Sequence, residues 1–142
     1  MKATTKEFEN KIEKAANWDE MKRILSELPK TTFSVKISEL CDKYCINFSQ
    51  IQIKTGITKS LFYSIVNGTR KPQKHHIIKI GLAMSASSEE INDLLKLAQH
   101  KELYAKNRDD AIILYGINQR LSVEEIEALL IESDAKLSLL EK

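Results

Sequence analysis

Apolar residues recur at three- and four-residue steps along most of this chain, and polar capping signals separate the runs. Near the N-terminus the spacing joins Phe8, Ile12, Ala15, Met21, Leu25 and Leu28. Four pairs have the form of a capping box, in which a polar residue and an acidic residue three positions later satisfy the first N–H groups of a helix: Asn17 with Glu20, Ser87 with Glu90, Asn107 with Asp110, and Ser122 with Glu125. The pattern predicts an all-α fold.

Composition and length fit a compact helical protein. The 142 residues are 42% hydrophobic and 30% charged, with 4 glycines and 2 prolines, which is too apolar for a disordered chain. We see no internal repeat, and expect an N-terminal helical arm over residues 1–30, a central domain over 35–98 and a C-terminal helical hairpin over 99–142. No apolar run approaches the roughly 18 residues that span a bilayer, so we expect a cytoplasmic protein with no membrane partner.

Charge separates the middle of the chain from both ends. Residues 43–88 carry seven basic and no acidic side chains, whereas residues 89–142 carry seven basic and twelve acidic ones. Such a basic stretch is typical of a polyanion site, because Lys and Arg near phosphates release condensed counterions. A solvated basic face with no partner is the alternative.

Inside the basic stretch, the pattern predicts two short helices joined by a tight reversal. A first core helix over 35–45 is followed by a helix over 49–55, by Gly56, which tolerates positive φ, and by a helix over 59–66 that Thr58 caps. The apolar side of the last helix holds Ile57, Phe62, Ile65 and Val66, and its outward side holds Lys59, Ser60, Tyr63, Ser64 and Asn67. Two helices joined by a three-residue turn form a compact DNA-reading unit.

The segment from Ile37 to Pro72, ISELCDKYCINFSQIQIKTGITKSLFYSIVNGTRKP, resembles the lambda-repressor-like helix-turn-helix domains of the XRE type. The strongest matches are Gly56, Thr58, Ser60, Ile65, Asn67-Gly68 and Arg70-Lys71-Pro72. The resemblance covers roughly residues 35–98 and implies a five-helix domain. The later stretch LYAKNRDDAIILYGINQRLSVEEIEALL resembles a C-terminal extension of a bacterial branch of these proteins.

The resemblance also implies roles for single residues. Lys59, Ser60, Tyr63 and Ser64 would read the major groove, Asn67, Arg70 and Lys71 would contact the DNA backbone, and Gln50 would lie near a phosphate. Two positions depart from the family pattern. Phe48 replaces a glutamine that usually grips phosphate, which predicts a weaker clamp, and Gln52 replaces a small residue, which predicts a modified helix crossing.

We therefore expect a sequence-specific regulator that binds double-stranded DNA as a homodimer, since one short helix per half-site requires paired subunits. Either the N-terminal arm or the C-terminal hairpin would supply the dimer contact. The alternative is a protein-interaction adaptor on a helix-turn-helix scaffold, which the departures at Phe48 and Gln52 and the acidic hairpin favour.

Other chemistry finds little support in the sequence. With no glycine-rich phosphate loop and no nucleophile elbow, we expect neither enzymatic activity nor a cofactor. Cys41 and Cys45 are predicted to be buried thiols. Together with His75 and His76 they make a nominal zinc set without zinc-finger spacing, so no metal is expected. The two histidines are expected near the DNA backbone or in solvent, with a pH sensor as the minor alternative.

Overall fold

A computed structural model describes residues 5–27 and 31–140, and this part of the chain is helical with no strand. Its nine helices are α1 (Thr5–Lys14), α2 (Trp18–Glu27), α3 (Phe33–Lys43), α4 (Phe48–Thr55), α5 (Lys59–Val66), α6 (Lys74–Met84), α7 (Ser88–Leu97), α8 (Arg108–Asn118) and α9 (Val123–Glu132). The predicted all-α class is confirmed. Within these residues, no helix combines the length and the apolar character needed to cross a membrane.

The chain divides into two compact units, and the first comprises Met1–Thr31. Its helices α1 and α2 pack on each other, with Lys11 Nζ 2.9 Å from Glu27 Oε2. The predicted break in the arm is present: Asn17 Oδ1 accepts a hydrogen bond from Glu20 N at 2.9 Å, and the Glu20 carboxylate accepts one from Ala16 N at 2.8 Å. The ends of the predicted arm, residues 1–4 and 28–30, lie outside the described residues.

The second unit, Thr32–Lys142, contains α3 to α9 around one hydrophobic core. Its largest fully buried side chains are Phe62, Ile37, Ile51, Ile65, Ile77, Ile78, Ile80, Ile91, Leu94, Leu95, Ile113 and Ile126. Helix α6 packs on α4 and α7, α3 packs on α5 and α7, and α8 packs on α7 and α9. The segments predicted as a central domain and a C-terminal hairpin therefore belong to one compact unit.

The predicted first core helix differs at both ends. It begins at Phe33 and ends at Lys43, so Cys45 lies beyond it, in a corner with φ 51°. Cys41 is buried, and burial raises the pKa of its thiol. Cys45 and Val35 are exposed, so the prediction of two buried thiols is wrong for Cys45. Cys45 would share the buried face of Cys41 only if the helix continued as far as Cys45, but α3 ends at Lys43.

Capping boxes start four helices of the second unit within the described residues. Those at Ser87 and Ser122 were predicted and are confirmed, and two that were not predicted, Asn47 with Gln50 and Gln73 with His76, start α4 and α6. The predicted box at Asn107 is wrong. Asn107 Oδ1 does accept a hydrogen bond from Asp110 N at 3.0 Å, but the Asp110 carboxylate turns away to accept bonds from Tyr104 N and Lys74 Nζ, at 2.9 and 2.7 Å.

The hairpins α6–α7 and α8–α9 are two copies of one unit, 35 positions apart, so the prediction of no internal repeat is wrong. Nine positions are identical between residues 77–99 and residues 112–134. The helix corner has φ 58° at Ser85 and φ 55° at Arg120, which are equivalent positions, and each corner is followed by a serine N-cap with a glutamate three residues later.

The same contacts recur inside each copy. Ala86 N donates to Gly81 O at 2.9 Å, and in the second copy Leu121 N donates to Gly116 O at 2.9 Å. Each glycine lies so close to the isoleucine of the following helix that an added Cβ would be 2.7 Å from Ile91 Cδ1 or 2.6 Å from Ile126 Cδ1. The identical positions comprise this glycine and isoleucine, the serine and glutamate of the cap, a second glutamate and four further apolar positions of the two helices. The other positions of the two segments differ, which is why the repeat is faint in the sequence.

Substituting Gly116 with alanine tests the close helix approach. The new methyl group overlaps Ile126, so we expect the free energy of unfolding to fall by about 1–3 kcal/mol, even though alanine favours a helix by about 1 kcal/mol. Urea unfolding of Gly116→Ala, Ile126→Ala and the double variant measures the coupling. Because the smaller side chain at 126 makes room for the methyl group, the double variant should lose less than the sum of the single losses; additive losses would contradict the packing.

The interactions of the Glu90 carboxylate should make the stability of the fold depend on pH in the acid range. Burial raises the pKa of its carboxyl group, but hydrogen bonds from Lys43 Nζ, from the Tyr44 hydroxyl and from Ser87 outweigh burial and hold that pKa at about 2, below the usual 4.5. A carboxyl group whose pKa is depressed in the folded state stabilises the fold above its unfolded pKa and loses that contribution as the pH falls through its folded pKa.

The stability difference between wild type and Glu90→Gln should therefore shrink as the pH falls from about 4.5 to about 2. Urea unfolding of both proteins between pH 2 and 7 measures it, and Glu89→Gln, at an exposed neighbouring position, is the control. A difference that stays constant over this pH range would contradict the assigned role of Glu90.

Candidate nucleic-acid interface

The turn between α4 and α5 is held by hydrogen bonds on both of its sides. Gly56 ends α4 with φ 71°, and the Thr58 side chain accepts a hydrogen bond from Leu61 N at 3.4 Å, as the sequence predicts. Gln52 Nε2 donates to Ile57 O at 2.6 Å, and Ile57 N donates to Thr55 Oγ1 at 3.3 Å. Gln52 therefore fixes the turn through the side chain that the family pattern lacks.

Helix α5 has a buried side and an exposed side. Phe62, Ile65 and Val66 are buried, as predicted. Lys59 and Ser60 in the first turn are exposed, and Tyr63 is 42% exposed. The predicted reading residues thus share the outer side of the helix, except that Ser64 is half-buried and its hydroxyl donates to Ser60 O at 2.8 Å.

Phe48 positions Tyr63. Its ring lies edge to face with the rings of Phe62 and Tyr63, at centroid distances of 6.0 and 6.5 Å, and the rings of Phe62 and Tyr63 are 5.4 Å apart at 90°. Such aromatic pairs are worth about 0.5–1.5 kcal/mol beyond their buried area. The resemblance implied only that Phe48 stands where a phosphate-binding glutamine is usual; the structure shows that the Phe48 ring packs against the ring of the exposed Tyr63 and restricts it.

The loop after α5 presents two cations from a fixed backbone. Gly68 has φ 86°, and Asn67 Oδ1 accepts hydrogen bonds from Thr69 N and Thr69 Oγ1 at 3.0 and 2.8 Å. Arg70 N donates to Ser64 O at 3.1 Å. The exposed side chains of Arg70 and Lys71 therefore extend from a braced loop.

His100 holds the end of this loop. Its Nε2 lies 2.8 Å from Pro72 O, in a hydrogen bond that the carbonyl oxygen accepts. This contact joins residues 28 positions apart, and no motif in the sequence indicated it.

Gln50 has a structural role at the start of α4. Its Oε1 accepts a hydrogen bond from Asn47 N at 3.0 Å, and its own N–H donates to Asn47 Oδ1 at 2.8 Å. This capping box was not predicted from the sequence, although Asn47 and Gln50 are a suitable polar pair three positions apart. The side-chain carbonyl of Gln50 is thus engaged in the cap, and a phosphate contact would use its amide nitrogen.

The basic stretch is less basic at the surface than the sequence suggests. Lys43 Nζ lies 2.6 Å from Glu90 Oε2, and Lys74 Nζ lies 2.7 Å from Asp110 Oδ1. Lys79 is buried, and its burial lowers the pKa of the ammonium group. Among the seven basic residues of 43–88, those that are exposed and make no ion pair with described residues are Lys54, Lys59, Arg70 and Lys71. The last three belong to α5 and the loop after it.

Of the two places predicted for the histidines, near the DNA backbone or in solvent, the solvent one is wrong. His75 is buried and His76 is partly buried, with ring centroids 4.1 Å apart. Burial, then the charges of His75, Lys79 and Arg70, lower the pKa of His76 to about 4. His76 is therefore uncharged near neutral pH and adds no positive charge beside Arg70. In the described part of the chain, no three or more His, Cys, Asp or Glu side chains converge on a possible metal position.

Comparison with known proteins provides no relative for this chain: no protein-family model, no curated protein and no solved structure matches it. The candidate surface consists of Lys59, Ser60 and Tyr63 on the outer side of α5, and of Arg70 and Lys71 on the loop that follows it.

Proposed function

We propose that this chain is a sequence-specific DNA-binding transcriptional regulator of the lambda-repressor-like helix-turn-helix class, with α5 as its recognition helix. The observation that carries the proposal is the exposed polar side of α5, which continues into a loop with two cations that make no ion pair with the described residues. The stretch from residue 43 to 88 has no acidic side chain. This stretch would therefore present positive charge to a phosphate backbone, and it contributes no carboxylate that would repel the phosphates.

In the proposed complex, the first turns of α5 contact base edges and the loop after α5 contacts phosphates. Lys59 and Ser60 lie in the first turn of α5, where side chains of a recognition helix reach base edges in the major groove. Tyr63 follows one turn later and offers a phenol that its aromatic neighbours hold in place. Arg70 and Lys71 lie beyond the helix end, in position to contact the sugar–phosphate backbone, which fixes the protein's register without reading sequence.

Pairing of two chains belongs to this proposal. Helix α5 has eight residues, so one copy reads only a few base pairs. Two copies related by a two-fold axis read two half-sites and multiply their contacts. The proposed active form is a homodimer on double-stranded DNA.

A protein-interaction adaptor is the second candidate, and Ile53 favours it. This side chain is 72% exposed on α4, close in sequence to the proposed DNA surface, and a bare isoleucine gains little from phosphates. Phe48 and Gln52 favour an adaptor less than their sequence positions predict, because both side chains have structural roles in the turn region. An adaptor would bind DNA weakly, with no sequence preference.

Replacing Lys59 with alanine tests the base-reading role. Duplexes selected by the wild-type protein from a randomised library supply the target, and fluorescence anisotropy measures the dissociation constant. Loss of a base contact should weaken binding by about 1–3 kcal/mol and relax selection at one position of the site. Lys136→Ala, which removes the same charge from another exposed position, is the control. Wild-type affinity in Lys59→Ala would contradict the assignment.

The double substitution Arg70→Ala, Lys71→Ala tests the phosphate role. Removing two phosphate contacts should weaken selected and random duplexes alike, and should lower the slope of log K against log salt by about 2. Titrations at four salt concentrations measure this slope. A variant that loses affinity for the selected duplex alone, at an unchanged slope, would show that these side chains read sequence instead.

A further inference from the structure

The outer side of the C-terminal hairpin carries an apolar groove of about 350 Å³. Ala111, Ile112, Tyr115, Leu129 and Ser133 line it. The Tyr115 side chain is 56% exposed, although the neighbouring positions of α8 are largely buried. The groove lies apart from α5 in sequence and is not used by the proposed DNA contacts.

The internal repeat indicates what kind of partner this face accepts. The positions equivalent to Ile112, Tyr115 and Leu129, 35 residues earlier, are Ile77, Ile80 and Leu94, and all three are fully buried. They belong to the core that α3, α4 and α5 share with α6 and α7. In the first copy this face is therefore covered by helices, whereas in the second copy the same face is open.

The charges at the two ends of the groove are self-complementary. Residues 108, 112 and 115 share one side of α8 with its C-cap residue 119, and residues 125 and 129 share one side of α9 with its C-cap residue 133, because three- and four-residue steps return to the same face. The helices are antiparallel, as the bond from Arg108 Nη2 to Ser133 O at 2.8 Å shows. The exposed Arg108 and the exposed Glu125 thus lie at opposite ends of the groove. Arg108 uses Nη2 to bond Ser133 O, and Glu125 uses Oε1 to accept a bond from Ser122 N in the cap of α9, so a partner would meet the other guanidinium N–H groups and Oε2.

A second copy of the chain, turned by a two-fold axis, would place its Glu125 against Arg108 and its Arg108 against Glu125. Such pairing matches apolar surface with apolar surface and opposite charges at both ends, as an isologous interface requires. Tyrosine, with its apolar ring and polar hydroxyl, suits the centre of such an interface.

We propose that the α8–α9 groove is the surface through which two copies of this chain form a dimer. The inference rests on the proposed function for the need of two chains. It selects the C-terminal hairpin over the N-terminal arm as the dimer contact, and it assigns the open face of the second repeat copy to the partner's equivalent face.

Sedimentation equilibrium of the full chain at several concentrations tests the interface. Wild type should approach twice its monomer mass of 16.2 kDa at micromolar concentrations. Tyr115→Glu places a charge in the groove and should raise the dimer dissociation constant at least tenfold. Ile131→Glu is the matched control, because Ile131 is 71% exposed and lies two residues beyond Leu129, on another side of α9; it should leave the constant unchanged.

Ala111→Arg, at a second groove position, guards against an effect of Tyr115→Glu on folding, and circular dichroism verifies that each variant folds. A monomeric wild type at tens of micromolar would overturn the proposal, as would folded Tyr115→Glu and Ala111→Arg variants that dimerise like wild type.

Failure of this interface and failure of the proposed function give different results. If wild type binds a selected duplex and both groove variants remain dimeric, the interface is wrong and DNA binding stands. If the groove variants become monomeric but wild type prefers no duplex, the interface stands and the DNA-binding proposal is wrong.

Discussion

Burial of α6 on all sides is the constraint around which the second unit is arranged. Seven of its residues are buried, and they include Lys79 as well as apolar side chains. A charged group is costly to remove from water unless an opposite charge accompanies it. The C-terminal hairpin supplies that opposite charge: Asp110 pairs with Lys74, and Glu127 raises the pKa of Lys79 against the lowering by burial.

The acidic character of the C-terminal third therefore has a structural reason. Asp110 and Glu90 pair with lysines of the basic stretch, and Glu127 accepts hydrogen bonds from Leu139 N at 2.9 Å and from Ser138 Oγ at 2.5 Å. The two ion pairs and the burial of Lys79 leave Lys54 on α4, Lys59 on α5, and Arg70 and Lys71 on the following loop as the exposed cations of the basic stretch that make no ion pair with described residues. The proposed DNA interface is thus defined as much by the lysines that the fold neutralises as by those that it exposes.

Local signals were predictable from the sequence, and distant partners were not. Gly56, Thr58, Ser87 and Ser122 act within three or four residues of themselves, and the structure has them in the expected roles. Asp110 failed as a cap because its carboxylate bonds to Lys74, 36 positions away. The same limit applies to the hydrogen bond from His100 to Pro72, which braces the proposed phosphate loop across a gap that no local pattern describes.

Helical spacing alone predicted which residues lie on the outer side of α5. It did not predict the side chains that hold those residues in place. Phe48 was interpreted from a single position as a lost phosphate contact, and only its edge-to-face packing on Phe62 and Tyr63 reveals its positioning role.

The most direct test of the account is a titration of the wild-type protein against the duplex upstream of its own gene and a scrambled duplex, at several salt concentrations. We expect a preference of about a hundredfold or more at physiological salt, worth about 2.7 kcal/mol. Equal, weak and steeply salt-dependent binding to both duplexes would contradict sequence-specific recognition and leave only a basic surface.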